Sequence, residues 1–179
     1  QHPARQKSTP QHTDLERNAL PLGYPNPMRL LALLFLPVAL SAQYSVVEKS
    51  ISEMRAALDR GEVTSRELVT QHLVRIALYE NKLHAVITVN PKALEEAATR
   101  DRERAQGRAR GPLHGIPVIV KDNYSTKDMP TTAGTLALAG FTPDKDAVQV
   151  KKLRDAGAII IAKSNLHELA SGITTVGSA

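Results

Sequence analysis

The sequence Ile-Pro-Val-Ile-Val-Lys-Asp-Asn occupies residues 116–123, and Ala-Ile-Ile-Ile-Ala-Lys-Ser-Asn occupies residues 158–165. Each stretch begins with a continuous apolar run, which is typical of a strand buried on both faces. A helix is predicted between them, over residues 146–156, because its apolar residues have helical spacing and Gly157 follows. Two buried strands joined by a helix predict a βαβ unit, and hence an α/β fold with parallel strands.

A lysine follows each apolar run, Lys121 in the first stretch and Lys163 in the second. Ligands of open parallel sheets bind at the carboxyl edge of the strands, so both lysines are candidate site residues. Burial would lower the pKa of such an amine, and a neutral amine can act as a general base. Asp122 and Asn123 are placed to hold it. The alternative is that each lysine only marks the point where its strand meets water.

Helix and strand signals also precede these stretches. Ser50 can cap one helix, residues 64–67 form a Thr-Ser-Arg-Glu capping box for the next, and Asn90 followed by proline indicates a third helix start. The predicted elements are helices over residues 51–59, 65–80 and 91–106, a strand over 85–89 and a short helix from near Leu166. His114 lies in a predicted loop, and we interpret it as shaping that loop rather than as a base.

The first 42 residues have a different character. Residues 1–27 are polar and have no helical or strand period, so we expect a disordered, non-native upstream segment. Residues 28–42 consist of Met-Arg, eleven apolar positions and Ser-Ala, which is the order of a secretory signal peptide. The alternative is a buried core helix. Because a membrane span needs roughly 20 apolar residues, we predict no stable span.

Cleavage near Ala42 would leave residues 43–179 as the mature protein. The signal predicts export to the periplasm or the cell exterior, and without it the protein would be cytoplasmic.

The composition and motifs exclude or disfavour several classes of function. The 179 residues include no cysteine, which excludes disulfides, a thiol nucleophile and cysteine-ligated metal sites. Residues 167–171, His-Glu-Leu-Ala-Ser, lack the second histidine of a zincin motif, so we expect no metal. The sequence also lacks the glycine motifs of phosphate-binding and dinucleotide-binding loops, and we expect no cofactor. The net charge of +5 falls to +3 for residues 43–179, and aromatic residues make up only 3%. A basic nucleic-acid-binding domain is therefore a disfavoured alternative, and no nucleic-acid partner is expected.

Four segments together resemble the amidase signature family. The segment Gly-Pro-Leu-His-Gly-Ile-Pro-Val-Ile-Val-Lys-Asp-Asn resembles the lysine segment of that family, and Met-Pro-Thr-Thr-Ala-Gly follows it at the expected place. The segments cover residues 56–68, 111–123, 129–134 and 155–168. The resemblance extends over nearly all of residues 50–179.

The resemblance implies a mixed sheet flanked by helices and an enzyme that hydrolyses or transfers amide groups of small molecules. Members of the family use a Ser–cis-Ser–Lys triad and an acyl-enzyme. Lys121 matches the triad lysine, which implies that it is the base and acts through the bridging serine. Lys163 matches a structural stretch of the family pattern, so the resemblance favours Lys121 over Lys163.

The sequence departs from the family at the serines. Nothing like the Gly- and Ser-rich segment that supplies both triad serines is present, and neither Ser171 nor Ser178 is assigned as nucleophile. We therefore interpret residues 43–179 as the N-terminal part of an exported amidase, with a sheet incomplete at its C-terminal end and no activity alone. The alternative within the family is the A subunit of a glutamyl-tRNA(Gln) amidotransferase.

Overall fold

The structure is a computed structural model that describes residues 44–173. The predicted upstream segment and signal peptide, residues 1–42, lie outside the described residues. The helices are α1 (Ile51–Asp59), α2 (Ser65–Leu83), α3 (Ala93–Ala105) and α4 (Val148–Asp155), and the strands are β1 (Val86–Val89), β2 (Pro117–Lys121) and β3 (Ile159–Ser164). Two 3-10 turns, Leu136–Leu138 and Glu168–Ala170, complete the described elements. No helix in residues 44–173 has the length and apolarity needed to cross a membrane.

The described strands form one mixed sheet in the order β1-β3-β2. β2 and β3 run parallel and are connected through α4, so the predicted βαβ unit is confirmed. β1 lies antiparallel to β3 on its other side. The register places Val120 opposite Lys163 and Lys121 opposite Ser164, so both predicted site lysines come to the same edge of the sheet.

The two N-terminal helices begin where the sequence predicts. At α1, the Ser50 side chain accepts from the Glu53 backbone N–H, and the Glu53 carboxylate accepts from the Ser50 N–H. Thr64 and Glu67 make the same reciprocal pair at α2. Each capping box satisfies backbone donors that the first helical turn leaves free. α2 continues three residues past the predicted end and stops at His84, which has a positive φ of 46°.

Two predicted helix starts are wrong by two residues. α3 begins at Ala93 rather than at residue 91, because Asn90 Oδ1 accepts from the Lys92 N–H in a turn while Asn90 Nδ2 donates to Ile160 O. α4 begins at Val148 rather than at Asp146. The Asp146 carboxylate instead accepts from the Lys127 N–H at 3.0 Å, which ties it to a different loop. The short helix predicted from near Leu166 is the 3-10 turn Glu168–Ala170.

Apolar clusters cover both faces of the sheet. One joins α2 and α3 to β3 and contains Val69, Ala93, Ala97, Ile159, Ile161 and Ala162. The other joins α4 and the loop after β2 to Ile160 of β3 and contains Val120, Met129 and Val150. Ile159 and Ile161 therefore pack into the first cluster and Ile160 into the second, as expected for a strand buried on both faces. The strands that carry the candidate site are therefore packed on both faces of the sheet.

Candidate active site

Lys121 is the last residue of β2, and its side chain is exposed. It lies at the rim of a cavity of about 240 Å³ between β2 and α4, which Tyr124 and Leu153 also line. Within residues 44–173, its amine has no ion-pair partner. These residues therefore do not supply the burial that we expect a neutral lysine to need, and the role of Lys121 as a base stays a prediction.

Lys163, the second-to-last residue of β3, has the opposite environment. Its side chain is 0% exposed, and Nζ lies 2.8 Å from Asp122 Oδ1. Nζ donates hydrogen bonds to Thr131 Oγ1 at 2.8 Å and to Pro130 O at 3.2 Å. Burial lowers the pKa of Lys163, because the loss of hydration outweighs the attraction of the Asp122 carboxylate. The desolvated strand-end lysine that the sequence predicts is thus present, and it is Lys163.

Asp122 connects the end of β2 to the loop that follows. Its Oδ2 accepts from the Thr132 N–H at 2.9 Å and from the Thr132 hydroxyl at 2.6 Å. Its backbone N–H donates to Ser164 O, and its carbonyl accepts from the Ala133 N–H. Asp122 therefore holds a strand-end amine as predicted, and that amine belongs to Lys163 rather than to Lys121. Asn123 is exposed.

The loop after β2 makes a tight turn at the edge of the sheet. Ala133 and Gly134 both have positive φ, 52° and 74°. A Cβ on Gly134 would lie 3.0 Å from Leu166 O, so the absence of a side chain lets the turn approach the segment after β3. The Leu169 N–H donates to Ala133 O at 2.8 Å, which joins the two segments. Residues 116–123, 129–134 and 158–168 thus converge at one place.

His114 shapes the loop before β2, as predicted. It is buried, and its Nε2 lies 2.9 Å from Arg100 O, while Nδ1 accepts from the Arg110 N–H at 3.1 Å. These bonds require the neutral ring with its proton on Nε2. Burial lowers the pKa of His114, which favours the same neutral form.

Within the part of the chain that the structure describes, no three His, Asp or Glu side chains are grouped as metal ligands would be. The described polar groups at the sheet edge are the Lys163 amine, the Asp122 carboxylate and the hydroxyls of Thr131 and Thr132. Sequence reasoning missed Thr131 and Thr132 as partners of the Lys163–Asp122 pair. The predicted parallel pairing of β2 and β3 could have indicated the Lys163–Asp122 contact, because it brings Asp122 beside the end of β3.

Comparison with known proteins agrees with this arrangement. The family model "Amidase" matches residues 67–179. The chain therefore belongs to the amidase family. It is 43% identical over 135 residues to the A subunit of the glutamyl-tRNA(Gln) amidotransferase of Thermobifida fusca, a match covering 75% of this chain and 27% of that protein. It is also 43% identical to a probable amidase of Arabidopsis thaliana over 136 residues, covering 74% and 27% of the two proteins.

Solved structures give the same result. The native peptide amidase from Stenotrophomonas maltophilia is 48% identical with a TM-score of 0.69, over 73% of this chain and 28% of that one. This likeness confirms the expected α/β fold with a mixed sheet flanked by helices. The chain spans about a quarter of the length of the relatives that it matches.

Proposed function

We propose that the complete gene product is an amidase that hydrolyses the C–N bond of a small linear amide. The observation that carries the proposal is the position of Lys121, exposed at the carboxyl end of β2 and inside the matched residues 67–179. The carboxyl ends of parallel strands are where open sheets bind their ligands. The 48% identity to a peptide amidase supports an amide as the substrate class.

The proposed mechanism uses a Ser–cis-Ser–Lys triad. Neutral Lys121 takes a proton from a bridging serine, which takes one from the nucleophilic serine as its oxygen attacks the amide carbonyl. The amine product leaves with a returned proton, and water then hydrolyses the acyl-enzyme. Lys121 is exposed in residues 44–173, so its amine is accessible both to the two serines of the triad and to the substrate.

The test is an assay of the complete gene product on a C-terminally amidated peptide and on an aryl amide. We expect Lys121→Ala to lower kcat/KM about 100- to 10,000-fold, the usual contribution of a general base. Lys127→Ala, at an exposed lysine of the adjacent loop, is the matched control and keeps native activity. Residues 43–179 alone are expected to show no turnover. A Lys121→Ala enzyme as active as the control would refute the proposal.

A second candidate is the A subunit of a glutamyl-tRNA(Gln) amidotransferase. It is favoured by the 43% identity to the Thermobifida fusca protein of that name. The two candidates differ in their requirements: the amidase acts alone on free amides, whereas the amidotransferase component depends on its complex and converts Glu-tRNA(Gln) with glutamine as the amide donor. Conversion of the tRNA only with partner proteins, without hydrolysis of free amides, would select the second candidate.

We also propose that the protein is exported through residues 28–42. The support is the order of the sequence there, a basic start, an apolar run and Ser-Ala. N-terminal sequencing of the protein from periplasm or medium should begin at Gln43. A cytoplasmic product that retains residues 28–42 would overturn this proposal and would strengthen the second candidate.

A further inference from the structure

A buried ion pair lies directly under the end of β2. Lys163 and Asp122 are both 0% exposed, and the ammonium and carboxylate are 2.8 Å apart. Asp122 is the residue that follows Lys121, and Lys163 precedes Ser164, the register partner of Lys121. The pair therefore bridges the two strands next to the residue that bears the proposed base.

The same pair also holds the loop after β2. Lys163 donates to Thr131 Oγ1 and Pro130 O, and Asp122 accepts twice from Thr132. Five contacts of 3.2 Å or less thus converge on two side chains. Four of these contacts are hydrogen bonds, which depend on direction as well as distance, so they restrict how the end of β2 can shift or rotate.

Lys163 is not itself placed to be a base. Its Nζ has three oxygen neighbours within 3.2 Å, and its side chain has no exposed surface to meet a substrate. Any effect of Lys163 on a reaction must therefore pass through the groups that it contacts.

A buried ion pair contributes little net stability relative to apolar residues of the same size, since desolvation offsets the attraction. Its clearest contribution is geometric. We infer that Lys163 is a positioning residue that, through Asp122 and Thr131, fixes the backbone from which Lys121 projects. This inference rests on the proposed role of Lys121 as the base.

The test separates geometry from stability in the complete gene product. Lys163→Met and Asp122→Asn each leave one buried group without its partner and should lower Tm. The double variant removes both charges, so its Tm should return toward the native value. We expect its kcat to stay about tenfold or more below native while KM stays within about twofold, because misplacing a catalytic group slows the chemical step. A double variant with native Tm and native kcat would overturn the inference.

A milder variant decides the matter if the double variant does not fold. Thr131→Val removes one hydrogen bond of Lys163, together with the longer bonds of the same hydroxyl to Thr126 N and Tyr124 O, and keeps the ion pair and the side-chain shape. Thr135→Val is the matched control, because Thr135 is also buried and, within residues 44–173, its hydroxyl accepts from the Ala137 N–H of its own turn and makes no bond to Lys163 or Asp122. We expect kcat to fall about threefold in Thr131→Val, without a change in KM, and to stay native in Thr135→Val. Equal kcat values in the two variants would also overturn the inference.

Lys121→Ala, assayed in parallel, separates this inference from the proposed function. Full activity in Lys121→Ala means that the proposed base is wrong, whatever the pair does. Loss of activity in Lys121→Ala together with native kcat in the double variant means that only the positioning role fails.

Discussion

β2 and β3 begin alike and end differently. Each is preceded by a glycine with positive φ, Gly115 and Gly157, and the two glycines are joined by a backbone hydrogen bond of 3.0 Å. At the other end, Lys121 is exposed and Lys163 is fully buried. Two features account for the difference. β3 has a neighbour on each side, whereas β2 pairs with β3 alone among the described strands. Lys163 is also in register with the buried Val120 and not with Lys121, so the two lysines lie on opposite faces of the sheet.

The largest effect that would test this contrast is on stability. Lys163→Met leaves the Asp122 carboxylate buried without its cation, and we expect a loss of about 3–5 kcal/mol. Lys121→Met changes an exposed side chain, so its effect should stay within about 0.5 kcal/mol. Urea denaturation of the chain measures both. Similar losses in the two variants would show that the ends of β2 and β3 are equivalent.

Chemical accessibility provides the next test. Acetylation of the folded chain, read by mass spectrometry, should modify Lys121 about 100-fold faster than Lys163. The Lys163 amine reacts only when the surrounding structure opens, and a 100-fold protection corresponds to an opening free energy of about 2.7 kcal/mol. Unfolding the chain in denaturant is the control and should bring the two rates together. Equal rates in the folded chain would contradict the buried position of Lys163.

The shared beginning of the strands can be tested at Gly157. A Cβ there would lie 2.6 Å from His114 Cα, and the φ of 94° is itself unfavourable for other residues. Gly157→Ala should cost about 2–3 kcal/mol from the steric clash and the backbone strain. Gly107→Ala has a comparable φ of 68° but open space around its Cβ, so it isolates the strain alone. Equal denaturation midpoints for the two variants would rule out the clash.

The smallest expected effect is a dependence on pH through His114. Its pKa is lowered in the folded chain, so the unfolded chain binds this proton more readily. The contribution of His114 to stability is then complete above its ordinary pKa of 6.5 and is lost as the pH falls toward the folded value. Between pH 7.5 and pH 5.5 we therefore expect the free energy of unfolding to fall. His114→Asn, measured by urea denaturation, should lack that loss, and an equal loss in both proteins would assign it elsewhere.

The sequence predicts the elements well because their signals are local. Apolar runs identify β2 and β3, and the capping boxes at Ser50 and Thr64 locate two helix starts. The resemblance to the amidase signature family is confirmed over residues 67–179. The local signal at Asn90 predicts the wrong helix start. The Asn90 side chain donates a hydrogen bond to Ile160 O, which is distant in sequence, and does not cap the first turn of α3.

The candidate site is less predictable for a related reason. Lys121 and Lys163 have nearly the same neighbours in sequence, but the strand order and the register of β2 against β3 give them different surroundings. The bonds from Lys163 to Thr131 and from Asp122 to Thr132 join residues 32 and 10 positions apart. No helical or strand period relates such positions, so they become visible only when the loop is seen folded over the strand ends.

Among the described strands, β2 has one edge without a neighbour, and this edge affects the solubility of the chain when it is expressed alone. Among the described residues, the side of β2 away from β3 carries amide and carbonyl groups without strand partners, and Ile119 is 42% exposed beside them. An exposed strand edge of this kind favours pairing with a strand of another molecule, which leads to aggregation. The charge of Lys121 at the end of β2 opposes that pairing. A neutral side chain in place of this amine would remove the charge that opposes aggregation. The solubility of each Lys121 variant must therefore be measured separately from its catalytic activity.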